Sequence, residues 1–142
     1  MERVESRVLD SIDVDGMIEY LCELVSIPSF AGKETAAQRS VAAKLRSIGL
    51  DVDVWDIDFD ALRSHPAFSM PIEREEGLGV VGVLGEDRGG KSLILNGHID
   101  TVSPGDEANW SHPPLKGTVS GGRVYGRGVA DKKGGLCCAI FA

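Results

Sequence analysis

The chain has 142 residues, 42% of them hydrophobic and 26% charged, the balance of a single soluble globular domain able to build a core. Its formal net charge of -7 offers no basic field to a phosphate backbone, which excludes nucleic acid as the expected partner. The opening Met1-Glu2-Arg3-Val4-Glu5-Ser6-Arg7 lacks the apolar run of a secretory signal and no later stretch is long enough to span a bilayer, so the expected address is cytoplasmic, without a membrane partner.

Asp13 and Asp15 precede Met17, Ile18, Leu21, Leu24 and Val25, whose spacing draws one apolar stripe on a helix with an aspartate as N-cap. That helix stops near Pro28. A second helix is predicted from about Glu34 to Ile48, with Ala37, Val41, Ala42, Leu45 and Ile48 facing inward and Gly49 as C-cap. The chain then extends. Val52, Val54, Ile57 and Phe59 recur nearly every second position, and Asp51, Asp53, Asp56, Asp58 and Asp60 form the wet face of a half-buried strand. Asp56-x-Asp58-x-Asp60 also matches the opening of an EF-hand loop. Ala61 stands where that loop needs glycine and Ala67 where it needs its bidentate glutamate, so the solvated strand is the better account.

Residues 60–76, with His65, Pro66 and Pro71, have no clean period and read as a short helix or loop, His65 being a surface residue. Gly79–Leu84 and Leu93–Leu95 are short β-type runs across a turn-rich linker, which predicts a hairpin. The linker satisfies G-x-x-x-x-G-K-[ST] from Gly85 to Ser92, the pattern of a loop that cradles nucleotide phosphates. Such a loop needs a helix to begin at the lysine, whereas Ser92-Leu93-Ile94-Leu95 is β-type. Nucleotide binding is therefore the disfavoured alternative, and a calorimetric titration with ATP and magnesium is expected to show nothing. Cys22, Cys137 and Cys138, odd in number and with the last two adjacent, suit neither a disulfide framework nor a C-x-x-C zinc site; they are expected to be reduced and mostly buried.

If Leu93–Ile99 continues as a strand, His98 and Asp100 share a face at its C-terminal end, where open α/β sheets place their sites. Imidazole is a good zinc ligand, and a carboxylate on the same face can accept its other ring proton or steady the site from further out. Taken alone, H-x-D is a common triplet better read as a simple hydrogen-bonded pair at a strand end. A second motif follows: Gly126-Arg127-Gly128 reads as a tight approach, Asp131 as the residue at its tip, and Gly134-Gly135 with Leu136-Cys137-Cys138-Ala139-Ile140 as the start of an apolar helix. Asp131 occupies the third glycine position of G-x-G-x-x-G, which excludes a dinucleotide fingerprint. A carboxylate there is a natural bridge between two cations, or otherwise a helix N-cap.

Four segments in order, Leu24–Ser29, Asn96–Val102, Trp110 with Pro113-Pro114, and Gly126–Gly135, make the chain resemble the zinc- or cobalt-dependent aminoacylases and exopeptidases that include acetylornithine deacetylase and succinyl-diaminopimelate desuccinylase. The resemblance implies an α/β fold, a mixed twisted sheet with flanking helices of the zinc-exopeptidase kind. That fold would be incomplete, with residues 1–142 forming the N-terminal portion of a catalytic domain and its lid and second half absent. It implies two divalent cations, Zn2+ or Co2+, with His98 ligating one, Asp131 bridging both and Asp100 as the active-site aspartate supporting His98. Trp110–Leu115 would be a loop near the mouth, with His112 facing solvent rather than metal. A cis bond is implied at Asp131-Lys132, although Lys132 departs from the apolar or acidic residue commoner there.

The implied chemistry is hydrolysis of N-acyl amino acids or peptide-like small amides, with a downstream glutamate as proton shuttle and a homodimer open to the full-length protein. Residues 56–68 and the loop after Met70 look most like the deacetylase and desuccinylase branch. Two ligands are fewer than a catalytic zinc keeps, so these residues alone are expected to hold metal weakly and hydrolyse nothing. The contrasting reading is a non-catalytic remnant or partner module. In either case the apolar terminus Leu136–Ala142 leads one to expect self-association of the isolated chain.

Overall fold

The computed structural model describes residues 2–86 and 89–142, so Asp87 and Arg88 of the Gly85–Ser92 pattern lie outside the described residues. Two units interleave along the chain: one holds the residues through Ser26, Leu95–His98 and Pro104–Ala142, the other Ile27–Ile94 and Ile99–Ser103. No helix among the described residues is long and apolar enough to cross a membrane.

In the first unit, helix α1 (Glu2–Asp10) was not expected from the apolar pattern; its Val4, Val8 and Leu9 remain exposed. The Asp13 carboxylate then accepts a hydrogen bond from Gly16 N at 2.9 Å and caps α2 (Val14–Ser26), the role its position predicts. That carboxylate also fills the space a Cβ on Gly16 would need. Tyr20, Leu21, Leu24 and Val25 are buried, so the predicted stripe is the one that packs. Tyr20 meets Phe141 of α5 (Gly134–Phe141) with ring centroids 6.2 Å apart. Between them lie a 3-10 turn (Glu107–Asn109) capped by Asp106 and an antiparallel hairpin, β3 (Thr118–Ser120) with β4 (Arg123–Tyr125). Gly121 and Gly122, at φ +56° and +74°, form its two-residue turn.

In the second unit, α3 (Thr35–Ser47) buries Ala37, Val41 and Ala42. Leu45 is half-buried and Ile48 is exposed, because the helix ends before Ile48 and the chain turns at Gly49. With φ at +89°, Gly49 donates to Arg46 O at 3.0 Å while Leu50 N reaches Leu45 O at 3.1 Å, and together they satisfy the last carbonyls. Strand β1 (Asp51–Asp56) pairs antiparallel with β2 (Leu78–Val83), Val52 opposite Gly82 and Val54 opposite Val80. One face turns to α3, where a Cβ on Gly82 would lie 3.1 Å from Leu45 Cδ1; Asp51 and Asp53 lie on the wet face, as predicted. Two aspartates of the EF-hand-like run act locally. Asp58 caps the short α4 (Phe59–Leu62) through Ala61 N at 2.9 Å, and Asp60 pairs with Arg63 at 3.4 Å. His65 is on the surface, accepting from Ala67 N at 3.2 Å.

The expected hairpin between Gly79–Leu84 and Leu93–Leu95 does not form. β2 pairs with β1 instead, and residues 91–100 carry neither helix nor strand. A strand holds its conformation through a ladder, and Leu93 and Ile94, 81% and 86% exposed, have no neighbouring strand among the described residues. The backbone is fixed further on, where Thr101 bridges to Phe30 in parallel and Thr101 N donates to Ser29 O at 2.8 Å. Ser29, itself buried, donates its hydroxyl to Ile99 O at 2.7 Å. Helices mixed with strands are thus present, but the described strands form two separate pairs rather than one twisted sheet. The thiols also divide: Cys137 is buried, Cys22 half-buried and Cys138 exposed, since neighbours on a helix point about 100° apart.

Candidate metal site

The turn that carries Asp131 is held on both sides. Gly128, at φ +83°, opens it in a conformation that side chains resist, and two residues earlier a Cβ on Gly126 would lie 2.5 Å from Val25 Cγ1 and 3.2 Å from Pro114 O. Lys133 N donates to Gly128 O at 2.8 Å, closing a wide turn over Val129–Lys133. Inside it Asp131, at φ −128° and ψ 93°, is the one non-helical residue, and the Asp131–Lys132 peptide is cis, as the resemblance implied. The carboxylate projects into solvent, 88% exposed.

His98 reaches the same place from the segment Leu95–His98. Gly97 brings that segment against α5: a Cβ there would lie 3.3 Å from Leu136 Cδ1. His98 Nε2 stands 3.1 Å from Asp131 Oδ1, with 46% of the imidazole side chain exposed. The pair is an imidazole–carboxylate hydrogen bond or ion pair as it stands. In a tetrahedral site with ligand bonds of about 2.0–2.2 Å, two donors on one cation lie about 3.3–3.6 Å apart. At 3.1 Å the nitrogen and the carboxylate oxygen stand at hydrogen-bond distance, slightly closer than two ligands of one cation, so a divalent cation would have to part them by a few tenths of an ångström; both atoms are open to solvent. No third His, Cys, Asp or Glu joins them among the described residues.

Asp100, half-buried, belongs to the second unit. Exposure alternates along this segment, with Ile99 only 5% exposed, but the ladder expected to align His98 and Asp100 on one strand face is absent. Nor is His112 the solvent-facing loop residue expected. It is half-buried and stacks on Tyr125 with centroids 4.2 Å apart, while Nδ1 lies 3.0 Å from Ser111 Oγ. Trp110 donates from Nε1 to Pro104 O at 2.9 Å, and the Arg127 guanidinium lies 4.8 Å over its ring, so the loop is organised around the arginine of the glycine turn.

The residue that sequence reasoning passed over is Lys133, 1% exposed, whose Nζ donates to Leu24 O at 2.9 Å. Burial pushes its ammonium down from the usual 10.5 to about 8, with Cys137 pulling weakly the other way. Lysine is almost never fully buried, so nothing in Asp131-Lys132-Lys133-Gly134 distinguishes it from its exposed neighbour.

Residues 94–142, which contain both His98 and Asp131, match the family described as Peptidase family M20/M25/M40. The chain is 35% identical over 116 residues to N-formyl-4-amino-5-aminomethyl-2-methylpyrimidine deformylase of Halalkalibacterium halodurans, a match covering 81% of this chain and 24% of the relative. It is also 35% identical over 119 residues to succinyl-diaminopimelate desuccinylase of a Methylobacterium species, covering 84% of this chain and 26% of that one. The chain thus spans about a quarter of the length of the curated relatives it matches.

Proposed function

We propose that this chain, whose residues 94–142 match Peptidase family M20/M25/M40, is a part of a member of that family and supplies His98 and Asp131 to the metal centre of an amide hydrolase. The observation that carries this reading is the 3.1 Å approach of His98 Nε2 to Asp131 Oδ1, made by residues far apart in sequence and held by glycine turns. Both named relatives remove an acyl group, formyl in one and succinyl in the other, which favours N-acyl amino acids or related small amides as substrates.

His98 would hold one cation through Nε2, and Asp131, with its carboxylate in solvent, would bridge two, Zn2+ or Co2+. Such a pair, when bound, acidifies a shared water and polarises the amide carbonyl. Asp100, two residues beyond His98, is assigned on chain spacing as the carboxylate that steadies the imidazole. A catalytic zinc keeps three protein ligands, and two stand here, so the remaining ligands and the general base are assigned to sequence outside these residues.

The test is to express the source reading frame beyond Ala142, load the product with Co2+, and assay N-formyl and N-succinyl amides. Cleavage is expected, and near-background rates in His98→Ala and Asp131→Ala. A longer product that is inactive on both would favour the competing reading, a non-catalytic module, and activity that survives both substitutions would remove His98 and Asp131 from the reaction.

A further inference from the structure

The exposure of Asp131 depends on what happens two residues later. The backbone N–H of Lys133 closes the turn onto Gly128 O, and its ammonium donates to Leu24 O at 2.9 Å. Leu24 lies in the last turn of α2, where carbonyls have no partner within the helix and a lysine is a suitable donor. One residue therefore both closes the Asp131 turn and bolts it to α2. The bolt sits between two tight glycine contacts, Gly126 against Val25 and Gly134, where a Cβ would lie 2.5 Å from Val129 O. Removing an ammonium from water is unfavourable, and an apolar chain of similar length would fill the same volume without that penalty. The contact made by the amine, not the space it occupies, accounts for a lysine here.

Resting on the metal-site reading above, we infer that Lys133 is a positioning residue for Asp131: its bond to Leu24 O fixes the turn so that Oδ1 is held at 3.1 Å from His98 Nε2. Lys133 touches neither substrate nor cation. Its effect is on where the carboxylate stands before a cation arrives, so it should be visible in metal affinity without any turnover.

The experiment titrates Co2+ into the chain and follows the paramagnetic shifts of the His98 ring by NMR, with circular dichroism recorded on the metal-free protein. In the wild type, binding should be weak and lost in Asp131→Ala. In Lys133→Met the metal-free fold should persist while Co2+ binds about tenfold more weakly, the size of effect typical of residues that orient a ligand from behind. Lys133→Gln, which keeps an N–H donor on a side chain one bond shorter, should recover part of the affinity and of the wild-type shift pattern. Wild-type affinity in Lys133→Met would overturn the inference and leave the metal site standing. So would loss of the fold in both Lys133 variants, which would make the residue purely structural. If the wild type shows no Asp131-dependent Co2+ binding, the metal reading itself fails for this chain and the inference falls with it.

Discussion

Gly128 has a backbone φ of +83°, so any side chain placed there must either tolerate the left-handed region or move the turn. Gly128→Ala should lower stability by about 1–3 kcal/mol, read as a shifted midpoint in urea with the slope unchanged. Gly121→Ala, also at positive φ and with nothing within 4 Å of its Cβ, gives the conformational cost of such a position for comparison. His98 and Asp131 could be named from their residue types and spacing, because ligand chemistry is local to a side chain. Lys133 could not, since its role comes from burial against Leu24, a partner more than a hundred positions away.

At the level of elements, α2, α3 and β1 were legible because an apolar period of a helix or a strand is written directly in the order of residues. The pairing of β2 was not: Gly79–Leu84 and Leu93–Leu95 have the composition of two hairpin strands, and which neighbour a strand takes depends on distant chain. The hairpin β3–β4 did have a local signal in Gly121-Gly122, flanked by Thr118-Val119-Ser120 and Arg123-Val124-Tyr125. At the start of α2, Asp13→Ala should cost about 1 kcal/mol through loss of the cap. Gly16→Ala would ordinarily gain helix propensity, but here the new methyl displaces the Asp13 carboxylate. A double-mutant cycle is therefore expected to be non-additive, with Gly16→Ala destabilising in the wild type and stabilising once Asp13 is alanine. Additive changes would mean that the new methyl leaves the cap undisturbed in solution.

Across the whole molecule, the buried lysine makes stability depend on alkaline pH. Its folded value, about 8, lies below its ordinary 10.5. Below pH 8 both folded and unfolded chains carry the proton and the unfavourable burial of charge is felt in full. Between pH 8 and 10.5 the unfolded chain holds a proton that the folded chain has shed, so the folded state gains as pH rises through that window. Denaturation of wild type and Lys133→Met, followed through Trp110 fluorescence at pH 8 and pH 10, should show the variant losing ground to the wild type as pH rises. Parallel profiles would mean that the amine is better solvated than its position indicates.

That same inaccessible amine gives the protein an internal reporter of its own fluctuations. Lys33, Lys91, Lys116 and Lys132 are exposed and should acylate promptly with an amine-reactive ester, whereas Lys133 can react only in molecules where the turn has lifted from α2. The lag between the two, read peptide by peptide in a mass spectrometer, measures how often this region opens while the chain as a whole stays native.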